Sequence, residues 1–69
     1  MNKLKNYLIE KTKNSKYNSF LTSNEQVSID LGSEFYVTQG RLESLTKEGF
    51  IDCFPTQDGI VYKVIKGGG

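Results

Sequence analysis

Sixty-nine residues allow one domain at most, and a chain this short hides only about 60% of the surface that its unfolded form exposes, which argues against an elaborate enclosed active site. Hydrophobic residues at 36% and charged residues at 25% exclude a disordered composition, and no apolar run approaches the ~18 residues of a membrane span. The net charge of +1 hides an uneven spread: residues 1–20 carry Lys3, Lys5, Lys11, Lys13 and Lys16 against Glu10 alone, while the middle of the chain is acidic.

The start at Lys3 and Lys5 lacks the apolar stretch of a signal peptide, and the single cysteine, Cys53, cannot form an internal disulfide. Both points favour a cytoplasmic protein. A basic segment of this kind meets phosphates in some proteins and is a solvated helix face in others.

In chain order, residues 2–14 are free of Gly and Pro, with Leu4, Tyr7, Leu8 and the stem of Lys11 on one side, and are expected to form a first helix. Asn14, Ser15, Asn18 and Ser19 break it, because their side chains compete for backbone hydrogen bonds. Tyr17, Phe20 and Leu21 then read as anchors of a loop or as a very short strand.

Ser23 stands three residues before Gln26, the spacing of a helix capping box, so a second helix of about eight residues is expected to begin there. Glu25 suits its positive end, Val27 and Leu31 face inward, and Gly32 supplies its left-handed stop.

The third and longest helix is expected over residues 34–48, capped by Ser33 and ended by Gly49, about 22 Å long at 1.5 Å per residue. Phe35, Thr38, Leu42 and Leu45 recur at spacings of three, four and three and mark its core stripe. Gly40 costs about 1 kcal/mol at mid-helix, so either something approaches the helix closely there or the helix starts at Thr38. After Gly49, the segments 50–54 and 60–65 are rich in strand formers around a turn that runs from Pro55 to Asp58-Gly59, which reads as a β-hairpin. Within it Cys53 is expected to be a small buried apolar residue. Gly67, Gly68 and Gly69 carry no packing group and read as a flexible tail or an expression remnant outside a single domain of residues 1–66.

From Ser23 to Val64 the sequence resembles a winged helix-turn-helix domain of the type found in bacterial and phage regulators. The residues that carry the likeness are Ser23 as cap, Val27-Ser28 as a large apolar residue beside a small one, Leu31-Gly32 at the turn, Leu42 and Leu45, and the run 47–51 that leads into the wing. Gly32 and Gly49 are seventeen positions apart, as the turn and helix-end glycines of that family commonly are. The expected fold is therefore α+β: three helices followed by a C-terminal β-hairpin wing.

The resemblance implies DNA binding, with the third helix in the major groove and the hairpin beside it. The helix face opposite the core stripe carries Tyr36, Val37, Gly40, Glu43, Ser44 and Lys47, with Gln39 and Arg41 on its flanks. Arg41 and Gln39 are of types that read guanine and adenine edges, Ser44 and Lys47 suit phosphates, and Tyr36 or Val37 suit a thymine methyl. The wing tip, residues 56–59, has no basic residue, so a favourable electrostatic contribution falls to Lys3, Lys5, Lys11, Lys63 and Lys66. Duplex DNA is the favoured partner. Tyr36, Phe54 and Tyr62 keep single-stranded DNA as a variant through base stacking.

The same residues Tyr36, Val37 and Gly40 also suit a protein interface, either a homodimer or docking on a larger replication or transcription enzyme. Catalysis is not expected: the chain has no histidine, and a lone cysteine without one lacks an activating base. Metal-ligand spacings and phosphate-cradling glycine loops are absent, so no metal or cofactor is expected. A small protein rich in lysine and asparagine suits transcription regulation or replication in a phage, plasmid or other mobile element.

Overall fold

The computed structural model describes residues 2–65. The elements, in order, are α1 (Asn2–Thr12), β1 (Ser19–Thr22), α2 (Asn24–Leu31), α3 (Phe35–Glu48), β2 (Ile51–Thr56) and β3 (Gly59–Val64). Three helices stack on an antiparallel sheet of order β1-β3-β2, with the β2–β3 hairpin following the helices as a wing. The fold is α+β and has the expected winged helix-turn-helix order. The tail glycines and Lys66 lie outside the described residues.

The core draws on every helix and on the hairpin: Leu4 and Leu8 from α1, Val27 from α2, Leu42 and Leu45 from α3, Ile51 from β2, and Tyr62 and Val64 from β3. Burial of these side chains removes apolar area from water, which is the main favourable contribution in so small a domain. Helix α1 ends at Thr12, two residues short of the expected end, where the Thr12 hydroxyl turns back to donate to the carbonyls of Leu8 and Ile9. Thr12 is itself buried, although the pattern of Leu4, Tyr7 and Leu8 did not point to it. The Ser15 hydroxyl accepts from the backbone N–H groups of Tyr17 and Ser19, and so organises the loop that the competing polar side chains foretold.

The two alternatives left for residues 17–21 are each realised in part: Ser19–Thr22 form a short strand, and Tyr17 stays exposed in the turn before it. β1 pairs along β3, Phe20 against Tyr62 and Leu21 against Val61, so the sheet has three strands where the hairpin alone gives two.

Helix α2 begins as its sequence requires. The Ser23 hydroxyl accepts from the Gln26 N–H at 3.1 Å. The Gln26 side chain turns along the helix, where its amide donates to Asp30 at 2.8 Å, and makes no reciprocal bond to the Ser23 N–H. Ser23→Ala is expected to lower stability by about 1 kcal/mol, read as a shift in the denaturant midpoint at unchanged slope. At the other end Gly32 adopts φ +65°, and the Ser33 N–H donates to the Ser28 carbonyl. Ser33 therefore belongs to the end of α2 and does not cap α3, contrary to expectation. Glu34 occupies the cap position of α3 without a side-chain bond, and the helix starts at Phe35.

Within α3, Thr38, Leu42 and Leu45 are buried, but Phe35 is 42% exposed and leaves the stripe. It stands in the first turn, ahead of the core contacts that begin at Thr38, and packs edge-on against Tyr36 with ring centroids 5.6 Å apart. Gly40 answers to neither sequence alternative: α3 is continuous through it, and a Cβ placed there would meet nothing within 4 Å. Gly40→Ala is accordingly expected to raise stability by about 0.5–1 kcal/mol, as a higher midpoint of unfolding.

The wing turn is tighter than the sequence pattern indicated. Pro55 lies within β2 opposite Ile60, and only Gln57 and Asp58 separate the strands. Proline is tolerated because β2 is an edge strand, where a missing N–H breaks no second ladder. Gly59 sits at φ +143°, and a Cβ on it would fall 2.6 Å from the Thr22 carbonyl oxygen, so only glycine fits where β1 passes the hairpin.

Candidate functional site

Helix α3 is held by one face and presents the other. Thr38, Leu42 and Leu45 fix its rotation against the core, and Gly49 in the left-handed conformation ends it with bonds to Leu45 and Thr46. At 100° per residue the opposite face runs through Tyr36, Gly40, Glu43 and Lys47, with Val37 and Ser44 beside it. All six are exposed, Tyr36 at 81%. Arg41 is exposed on one flank, while Gln39 lies half-buried on the other. The structure thus gathers Tyr36, Val37, Gly40, Arg41, Ser44 and Lys47 on one solvent-facing surface and turns Gln39 away from Arg41.

Gln39 and Glu43 line an open groove of about 140 Å³ between α3 and the wing, whose other walls include Asn24, Cys53 and Tyr62. Tyr62, in the central strand, is buried, and its hydroxyl donates to the Asn24 side chain at the start of α2. Burial, more than any neighbour, pushes its phenol up to about 12. A buried Tyr62 offers no face to a base. Phe54 alternates with Cys53 and so lies on the sheet face away from the groove, and Tyr36 projects from α3. Of the three aromatics named for base stacking, Tyr36 and Phe54 are exposed on different faces of the domain and Tyr62 is buried. Cys53 also departs from expectation, since it is exposed. It points to the α3 side of the sheet, but β2 is an edge and the groove beside it is open.

The basic residues are spread around the domain. Lys3 donates through Nζ to the Leu31 carbonyl at 3.1 Å, where it neutralises the negative end of α2. Lys5 lies 5.2 Å from the Phe50 ring centroid, just past the end of α3. Both have intramolecular partners that sequence spacing could not reveal. Lys63 pairs across the sheet with Asp52 and Ser19 and belongs to the face away from α3. On α3 itself Arg41 and Lys47 stand with Glu43 and Glu48, so its charges are mixed.

A polar joint ties α1 to α2. The Tyr7 hydroxyl donates to Asp30 at 2.6 Å and the Gln26 amide donates to its other oxygen at 2.8 Å. The two donors hold the Asp30 carboxyl below the usual range, and burial together with the carboxylate raises the Tyr7 phenol. The joint links the middle of α1 to the last turn of α2.

Among the described residues, no cluster of three histidine, cysteine or carboxylate side chains could hold a metal ion, and no helix is long and apolar enough to cross a membrane. No family model, curated protein or solved structure matches the chain.

Proposed function

We infer that the protein is a non-enzymatic DNA-binding domain that places α3 in the major groove of a duplex, in the service of transcription regulation or replication of a phage, plasmid or other mobile element. The observation that carries this reading is the exposed face of α3. A helix anchored by Thr38, Leu42 and Leu45 presents an arginine, a lysine, a serine and a tyrosine outward at the head of a helix-turn-helix. Arginine at this place supplies a bidentate donor for guanine, serine and lysine meet phosphates, and Tyr36 with Val37 offers apolar contact to thymine methyls. The address that fits is cytoplasmic.

The apolar start of α3 favours a second reading. Phe35 at 42%, Tyr36 at 81% and Val37 at 43% exposed form a patch that suits a protein partner, such as a replication or transcription enzyme, with Tyr36 as the aromatic anchor.

A titration against duplex DNA, single-stranded DNA and a labelled-protein control at two salt concentrations separates the two. Duplex binding that weakens with salt supports the first reading, because each phosphate neutralised releases counterions. The absence of duplex binding even at low salt overturns it.

A further inference from the structure

The sheet face turned away from α3 carries an exposed apolar row beside a charged one. Ile60, Tyr62 and Val64 of β3 face the helices, so Val61 and Lys63 face outward, and their cross-strand partners share that face. Leu21, Val61 and Phe54 form one apolar row across all three strands, with Leu21 53% and Phe54 48% exposed. The next row is Ser19, Lys63 and Asp52. Lys63 and Asp52 are directly opposite in register and both exposed, and among the described residues neither is in an ion pair.

We propose that a second copy of this chain packs face to face on Val61 and Phe54 of this row, about a two-fold axis that runs parallel to the strands between β2 and β3, with Leu21 left at the rim. That axis exchanges the positions of the two strands. It lays each Phe54 over the partner's Val61 and each Lys63 over the partner's Asp52, so that hydrophobic and charged positions are complementary at once. A surface that matches itself under rotation is what an isologous dimer requires. Sheet edges do not offer the same route. Pro55 interrupts the free edge of β2, and the β1 edge is only four residues long.

The two strands that overlap about this axis, about 4.8 Å apart, and six residues at about 3.4 Å give a shared face of roughly 10 by 20 Å, smaller than the ~800 Å² per partner of a standard stable interface. The dimer is therefore reversible and concentration-dependent. It leaves the exposed face of α3 free, so two such helices are carried on one particle. The inference does not depend on what α3 binds.

Sedimentation equilibrium over a wide concentration range, without DNA, tests it. The wild-type chain is expected to pass from the 7.8 kDa monomer toward twice that mass as concentration rises. Asp52→Lys or Lys63→Asp alone sets like charges against each other twice per dimer and is expected to shift the transition at least tenfold upward in concentration. An equal mixture of the two single variants restores opposite charges at both contacts and is expected to return the transition to the wild-type range. Circular dichroism of each variant checks that these exposed substitutions leave the fold intact, and recovery in the mixture itself requires folded chains. A wild-type chain that stays monomeric at millimolar concentration overturns the proposal. So does a dimer that is indifferent to the charge reversals but lost on Tyr36→Ala, which places the contact on α3. DNA binding can succeed or fail in either case, so the two readings are judged separately.

Discussion

Leu45→Ala is expected to cost about 2–5 kcal/mol of stability, enough to leave a large fraction of a domain this small unfolded at room temperature. Leu45 is fully buried on α3 and shares the core with Leu4 and Leu8 of α1, Val27 of α2 and Ile51 of β2. The substitution removes the transfer energy of the lost carbons and leaves a cavity where helices and sheet converge. In a domain with a single core cluster the neighbours have little freedom to collapse into that space. Equilibrium denaturation gives the value directly, and a loss under 1 kcal/mol would show that α3 is not seated by this residue.

Much of the fold was legible because its signals are local. Ser23 marks the start of α2 through one hydroxyl and an N–H three residues on, and Gly32 and Gly49 stop two helices through their own left-handed backbone. What was lost is what depends on distant neighbours. β1 is a strand only because β3 passes it some forty positions later, so Ser19–Thr22 alone reads equally as loop or strand. Ser33 and Glu34 show the limit of local capping chemistry. Ser33 is the better cap by residue type, but Glu34 stays extended at φ −69° and ψ 147°, so α3 begins one residue later and Ser33 stands one place ahead of the cap position.

The candidate site divides in the same way. A helical period is enough to find the outward face of α3, since the buried stripe and its opposite are two readings of one pattern. Period cannot say what lies beyond the helix. Gln39 is turned toward the wing groove, Tyr62 is drawn into the core by its bond to Asn24, and Lys3 is held by a carbonyl 28 residues away. Cys53 has the right residue type and strand phase for burial, and only the open edge of β2 keeps it in solvent.

Arg41→Ala is expected to weaken binding to a preferred duplex site by about 1–3 kcal/mol, which is about 5- to 150-fold in affinity, and to relax sequence preference. Arg41 is exposed on α3, and no ion pair within the domain engages it among the described residues, so its removal should leave the fold and the thermal midpoint unchanged. The guanidinium fork is suited to two acceptors on one base edge, whereas a phosphate contact is made equally with every sequence. The readout is therefore the ratio of affinities for a preferred and a scrambled duplex. Loss of a base contact lowers that ratio and leaves the salt slope almost unchanged. Loss of a phosphate contact leaves the ratio and reduces the slope by about one. Replacing Lys47 is the internal comparison, because it lies on the same exposed face near the end of α3 and suits a phosphate. An Arg41→Ala protein with undiminished affinity and preference would remove α3 as the reading element, and the exposed Tyr36 and Val37 would then be left to a protein partner.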